Sequence, residues 1–512
     1  MRGATDAYQT SVDVEKDKQA SGGGGTGLLR PSRICFLTVV STAFWGFIFY
    51  LHSTMQGNLA GIMLKPAAFS LPSLPSSSLG WFGLDRCAGR RVYMYDLPPW
   101  FNADLAPDYC KMWSTCRQMV NGGFGPELVG GKGGALPERG SYDTDQFMLE
   151  MIFHTLMARY ECLTGDAAGA DAVYMPYYGG FDAAMNIWKS DLASRDALSR
   201  DLVEWLVRRP EWRAMGGRDH FMVIARGSWD FLRVVDDGWG NALLTYPAIA
   251  NTTVLTFEAS PYLGNDFAVP YPSHFHPASD ADVVGWQERV RRFERKWLWA
   301  FAGAPRPGNP RTVRAQIIEQ CSRSSACSLL GRIPSGNNSA GPIMRLLESA
   351  EFCLQPSGDS ATRKSTFDSI LAGCIPVFFH PASAYVQYIW HLPRDYRSYS
   401  VFISQADVAE RNASIEAVLR KIPPATVARM REEVIRLIPR VMYRDPAAKL
   451  TKFKDAFDIA VEAVLRRVAK RRRAAGEGRE YQDGVNGTDS WKYDLLEDGQ
   501  TRIGPHEFDP YM

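Results

Sequence analysis

At 512 residues, with 46% apolar and 12% aromatic side chains, the chain can bury two cores of ordinary domain size. Its formal net charge is only +2 and its basic residues are dispersed, which excludes a nucleic-acid partner held on a basic face.

In chain order, residues 1–33 are polar and read as a cytoplasmic tail. Gly22, Gly24 and Gly27 formally match a dinucleotide fingerprint, but no strand precedes them, so the stretch reads as flexible. Residues 34–51, "ICFLTVVSTAFWGFIFYL", hold no charged side chain. As a helix they would span roughly 27 Å, close to the thickness of a bilayer's hydrocarbon core, and they read as a transmembrane signal anchor. Arg30 and Arg33 precede the segment and the next basic residue is Lys65. That asymmetry places the N-terminus in the cytosol and the bulk of the chain in a lumen. Residues 52–86, rich in Pro and Ser, read as an extended stem.

Eight of the nine cysteines follow the apolar segment, an even number that suits disulfides in an oxidising lumen. Cys110 with Cys116 and Cys321 with Cys327 are candidate local bridges, although spacing leaves the connectivity open. Asn251, Asn337, Asn412 and Asn486 head Asn-x-Ser/Thr triplets and are candidate glycosylation sites on the same side.

Residues 87–295 alternate strand and helix patterns: "RRVYMYDLP", helical "DQFMLEMIFHTLMARYECL", then "ADAVYMPYY", "DHFMVIAR" and "NTTVLTFE". Residues 296–440 begin a second series with "KWLWAFAG", followed by a Pro/Gly-rich loop at 302–310, helix "RTVRAQIIEQC", and the strands "CIPVFF" and "YSVFIS". Such alternation predicts an α/β chain of two parallel-sheet domains with a cleft between them, ligands lying at the carboxyl ends of the strands. A final helix, 441–473, ends in the basic run Arg466–Arg473, which reads as cations at a helix C-terminus facing water, and 474–512 reads as a flexible tail.

The most unusual stretch is "FCLQPSGDSATRKSTFDSILAGCIPVFF", residues 352–379. A strand-to-helix turn needs few residues and one N-cap, yet this one gathers Ser357, Gly358, Ser360, Arg363, Lys364 and Ser365. Backbone N–H groups at a helix start, with hydroxyls and basic side chains beside them, are how a fold holds a diphosphate. Asp368, further along the helix, is placed to accept hydrogen bonds from ribose hydroxyls. On spacing alone, a capping residue with a solvated basic pair reads equally well.

These residues, with "RVYMYDLPPWFN", "NDFAVPYPSHFHP" and "ERKWLWAFAGAPRPGNPR", resemble the plant exostosin-type enzymes of glycosyltransferase family 47, nearest its KATAMARI-type xyloglucan galactosyltransferases. The likeness runs from about Arg90 to about Leu465. It implies a GT-B fold of two Rossmann-like domains, an inverting mechanism, a UDP-sugar donor, a xyloglucan acceptor and single-pass type II residence in the Golgi membrane, where complexes with other glycosyltransferases form. Galactose is the implied sugar, with galacturonic acid, arabinose or a noncatalytic scaffold role as alternatives.

Carried over by position, Ser357 to Asp368 is the donor element and Arg314, with Arg306 and Arg311, faces it. Wider relatives place an Arg three residues before a Glu where this chain has Ser365 and Asp368, which makes Arg363 the candidate for the diphosphate.

Inverting transfer needs a base for the acceptor's proton. Asp182, beyond a buried strand and two glycines, is the first candidate and Glu258 the second, followed by His274, His276 and Asp266. Asp143-Thr144-Asp145 and Asp280-Ala281-Asp282 have the Asp-x-Asp spacing that divalent metals use, but both precede helices and read as N-caps, so no metal is expected. Trp229, Trp239, Trp286, Tyr385, Tyr388 and Trp390 are candidates to stack on acceptor sugars.

Overall fold

The apolar runs build two separate parallel sheets. The computed structural model describes residues 85–128, 135–189, 191–233, 238–260, 263–304, 312–331, 340–479, 481, 496–497 and 501–502. The anchor read at 34–51, the cytoplasmic tail, nearly all of the stem, Arg306, Arg311, Asn337 and Asn486 lie outside the described residues. Among the described residues no helix is long and apolar enough to cross a membrane.

In the first sheet, β1 (Val92–Met94), β2 (Leu163–Thr164), β3 (Ala172–Met175), β4 (His220–Gly227), β5 (Thr253–Glu258) and β6 (Asp266–Ala268) lie in the order β2-β1-β3-β4-β5-β6. Every neighbouring pair is parallel. In the second, β7 (Trp297–Ala302), β8 (Cys327–Leu330), β9 (Ala350–Gln355), β10 (Ile375–Phe378) and β11 (Val401–Phe402) lie in the order β11-β10-β9-β7-β8, again all parallel. Helices cover both faces, so β3 and β10 are buried at every position, as continuous apolar runs require.

Both sheets belong to one compact unit, Phe82–Met512. Helix Asp280–Arg291, which follows the first sheet, joins them: Trp286 Nε1 donates to the carbonyl of Leu371, and Gln287 Nε2 to that of Ile435. Four disulfides reinforce the unit, Cys87–Cys162, Cys110–Cys116, Cys321–Cys327 and Cys353–Cys374. The last joins β9 to the residue before β10 and so closes the base of the unusual turn.

The basic run departs in part from the solvated reading: Arg466, Lys470 and Arg473 are exposed, but Arg467, Arg471 and Arg472 are engaged with the protein. Helix Ala456–Gly476 lies back on the first sheet, with Phe457 against Phe153 at 4.7 Å. Arg467 donates to Thr253 Oγ1 at 2.6 Å and to the Gly264 carbonyl at 2.7 Å. Arg471 donates to the carbonyls of Arg218 and Asn251, and Arg472 to that of Ala170. These carbonyls cluster where β3, β4, β5 and β6 begin, and the guanidinium forks satisfy backbone acceptors there that water would otherwise have to reach.

Candidate active site

The carboxyl ends of the two sheets border a cavity of about 770 Å³ lined by residues of both halves. β9 ends at Gln355, and helix Lys364–Leu371 begins after the Ser/Gly-rich turn. Arg363 occupies the N-cap with extended backbone, its side chain makes no capping bond, and the first helical turn holds no acidic residue. Among the described residues, the positive end of the helix is therefore left uncapped by side chains, and Arg363, Lys364 and Ser365 line the cavity there.

The turn is held by its own polar groups. Arg363 Nη1 donates to the Pro356 carbonyl at 3.0 Å and its Nε to Ser365 Oγ at 3.1 Å. Ser365 Oγ in turn donates to Gln355 Oε1 at 2.5 Å. Arg314 Nη2 reaches the Ser357 carbonyl at 3.4 Å from helix Val313–Arg323. Gly358, Ser360, Arg314 and Asp368 line the cavity, whereas Ser357 stands behind it as the carbonyl partner of Arg314.

Lys364 is the centre of a second cluster. Its Nζ donates to both oxygens of Asp368, at 2.9 and 3.0 Å, and to His274 Nε2 at 3.1 Å. Ser273 Oγ donates to Asp368 Oδ1 as well. Burial pushes the Asp368 carboxyl upward, but the Lys364 ammonium above all, with the Ser273 hydroxyl, holds it below the usual carboxylate range. His274 Nδ1 faces the Tyr142 carbonyl at 3.0 Å and so carries the proton, leaving Nε2 as the acceptor that Lys364 occupies. Burial and Lys364 depress its pKa to about 3, so the ring is neutral with no lone pair to spare for a substrate proton.

The first half contributes three carboxylates to the lining, Asp143, Asp145 and Asp230. Asp230 is engaged on both sides, by Arg226 Nε and by Trp239 Nε1 at 2.7 Å. Asp143 accepts a long bond from Gln118 Nε2 at 3.4 Å. Asp145 caps the helix that follows through Oδ1, which accepts from the Phe147 N–H at 2.8 Å. Burial raises its pKa, an effect only partly offset by that N–H and by Lys364.

Of the bases expected from the sequence, His274 lines the cavity, and Asp182, Glu258, His276 and Asp266 are not among its lining. Asp182 is 2% exposed on helix Gly179–Asn186 and is not among the cavity's lining. Its carboxyl accepts from Asn186 Nδ2 at 2.6 Å and from the Tyr177 hydroxyl, and burial lifts its pKa to about 7. A position just beyond a strand's carboxyl end put the residue near the cleft, but its place on the helix turns the side chain inward. Glu258 reaches across to the turn, where its Oε2 accepts from both the N–H and the hydroxyl of Thr362. His276 is sealed between Thr144 Oγ1 and the Tyr443 carbonyl, and Asp266 Oδ2 accepts from the Ser260 N–H.

Of the two Asp-x-Asp pairs, the second is capped by Ser279 rather than by an aspartate, and Asp280 instead receives the N–H groups of Thr451 and Lys452. Among the candidate stacking residues, Trp286, Tyr385 and Tyr388 are core, Trp390 stacks on Phe267, and Trp229 and Trp239 are exposed. Asn412 is exposed, while the Asn251 amide donates to the Gly216 carbonyl beneath the C-terminal helix.

Sequence reasoning assigned no cavity role to Arg226 or Asp230, and read Asp145 only as a cap or metal candidate. The clue for Arg226 and Asp230 was their place at the carboxyl end of β4, the position where α/β sheets present ligand-facing residues.

Residues 86–419 match the Exostosin GT47 domain. The chain is 48% identical over 436 residues to xyloglucan galactosyltransferase MUR3 of Arabidopsis thaliana, which covers 84% of this chain and 70% of that protein. It is 40% identical over 394 residues to xyloglucan-specific galacturonosyltransferase 1 of the same plant, covering 75% of this chain and 58% of that protein. With the domain matched over most of its length and a relative at that identity, this chain belongs to the exostosin GT47 family of glycosyltransferases.

Proposed function

We propose that this chain is an inverting GT-B glycosyltransferase that moves galactose from UDP-galactose onto xylosyl side chains of xyloglucan. The observation that carries the reading is a contrast between two helix starts. Gly180, in the first turn of helix Gly179–Asn186, donates its N–H to Glu150 Oε1 at 2.6 Å, so the chain's own carboxyl group occupies that site. Among the described residues no side chain occupies the start of helix Lys364–Leu371 in this way; it faces the cavity and has Arg363, Lys364 and Arg314 around it. Backbone N–H groups and cations there suit the two phosphates of a nucleotide sugar.

In the reaction, an acceptor hydroxyl oxygen bonds to the anomeric carbon as the bond from that carbon to the diphosphate breaks. The electron pair leaves with UDP, and the proton passes to a carboxylate on the opposite side. Lys364, oriented by Asp368 and His274, and the helix start meet the charge that grows on the departing diphosphate. Asp145 takes the proton. It lies in the lining contributed by the other half, and its raised pKa brings it closer to the working range of a general base.

The apolar segment 34–51 supports a type II anchor that holds the domain in the Golgi lumen, with the described disulfides suited to that compartment. The relative named for galacturonic acid makes the donor sugar the point to test. Purified protein incubated with UDP-galactose, UDP-galacturonic acid or UDP-arabinose and xyloglucan oligosaccharides is expected to turn over UDP-galactose and to form a β-linked product. Preference for another donor reassigns the sugar. Absence of transfer from folded protein with every donor removes the enzymatic reading.

A further inference from the structure

We propose that Trp229, Trp239 and Trp188 form a stacking track that carries the β-glucan backbone of the acceptor outward from the cavity. This rests on the transferase reading above. Trp229 lines the cavity, so the track starts at the site. Its ring centroid is 6.2 Å from that of Trp239, with the planes 28° apart, and Trp239 is 4.7 Å from Trp188 in an edge-on arrangement. The three rings are 42%, 41% and 65% exposed, whereas the largest aromatic side chains of the core are sealed from solvent. Contiguous exposed indoles oppose the hydrophobic effect and mark a surface that something covers.

The two inner rings are held in place by surrounding structure. A Cβ at Gly227 would stand 2.4 Å from Trp229 Nε1, so only glycine lets the indole fold over that backbone. Trp239 Nε1 donates to Asp230 Oδ1 at 2.7 Å, and Asp230 is fixed by Arg226 inside the cavity. Gly240 has φ +85°, and a Cβ there would meet the Asp230 carbonyl oxygen at 2.4 Å. The geometry thus links the two inner rings to the polar groups of the site. The continuity of the track with a cavity that takes a sugar hydroxyl favours a glycan as its occupant. Flat faces of β-linked pyranoses present C–H groups that pack on indole faces, and their rim hydroxyls stay in water.

The test uses the full-length protein, soluble xyloglucan as the polymer, and two separate readouts: retardation of the protein in gels containing xyloglucan, and UDP affinity by calorimetry. Trp188→Ala is expected to weaken xyloglucan affinity about three- to tenfold, the worth of one aromatic contact, with UDP affinity unchanged. Trp188→Tyr should recover most of the loss, which a folding defect would not. Undiminished xyloglucan affinity in Trp188→Ala overturns the track while leaving the transferase reading standing. So does dissociation, in Trp188→Ala, of any dimer that the unsubstituted protein forms in sedimentation, which makes the face a protein interface. Failure of the unsubstituted protein to bind UDP strikes the transferase reading instead.

Discussion

Glu258 Oε2 accepts hydrogen bonds from both the N–H and the hydroxyl of Thr362, each at 2.7 Å, and so ties the end of β5 in one sheet to the turn before helix Lys364–Leu371 in the other. Tyr271 adds a third bond, from its hydroxyl to Thr362 Oγ1 at 2.9 Å. Beside them, Gln387 exchanges two hydrogen bonds with the backbone of Ala259. The turn that lines the cavity is therefore held from the opposite half of the protein.

Glu258→Ala should weaken UDP binding about tenfold and lower stability by about 1–3 kcal/mol, because Thr362 loses the acceptor for two donors. Glu258→Gln keeps an oxygen in place and should retain most of the transfer rate. Calorimetry with UDP and a transfer assay check both. A general base at this position would instead make the Gln variant inactive.

Asp145→Asn should reduce the transfer rate by about two orders of magnitude or more, the usual worth of a general base, while UDP affinity stays near its original value. Asparagine still caps the helix, so folding is expected to survive. Because burial raises the Asp145 pKa, the rate of the unsubstituted enzyme should fall on acidification above the pH at which an ordinary carboxylate would cause it. Rate measurements across pH check this, and a variant with full turnover assigns the base elsewhere.

Asp182→Asn should leave transfer intact and stabilise the fold at neutral pH. The folded-state pKa of Asp182, about 7, lies above its unfolded value, so the folded chain holds this proton more tightly. Its contribution is fully present in acid and is lost as pH rises from the ordinary carboxylate range through about 7. At about 1.4 kcal/mol per pKa unit the effect is at most about 4 kcal/mol. Thermal melts at pH 5 and pH 8 should therefore show the variant's advantage growing with pH.

The strands of both sheets that form the deep core were legible in the sequence, because parallel strands buried on two faces must be continuous apolar runs such as "AVYM" and "IPVF". The strands β2, β6 and β8 were not, since each lies at an edge of its sheet and is not written as a long continuous apolar run. The turn before helix Lys364–Leu371 stood out in the sequence because it holds more hydroxyls and cations than a connection needs, and it lines the cavity.

Side-chain direction was not legible. Asp182 and Asp145 both stand near the carboxyl ends of strands or the starts of helices, and only the packing of Tyr177 and Asn186 turns one inward while the other lines the cavity. The basic run at 466–473 misled for a related reason. Its acceptors, the carbonyls of Ala170, Arg218, Asn251 and Gly264, lie some 200 to 300 positions away in the chain, beyond the reach of local pattern.

The structure of the protein bound to UDP tests the central claim most directly. The diphosphate should lie within hydrogen-bond reach of the backbone N–H groups at the start of helix Lys364–Leu371, with Lys364 Nζ beside it. Density for the diphosphate at the start of helix Gly179–Asn186, or anywhere away from residues 363–366, would contradict the account.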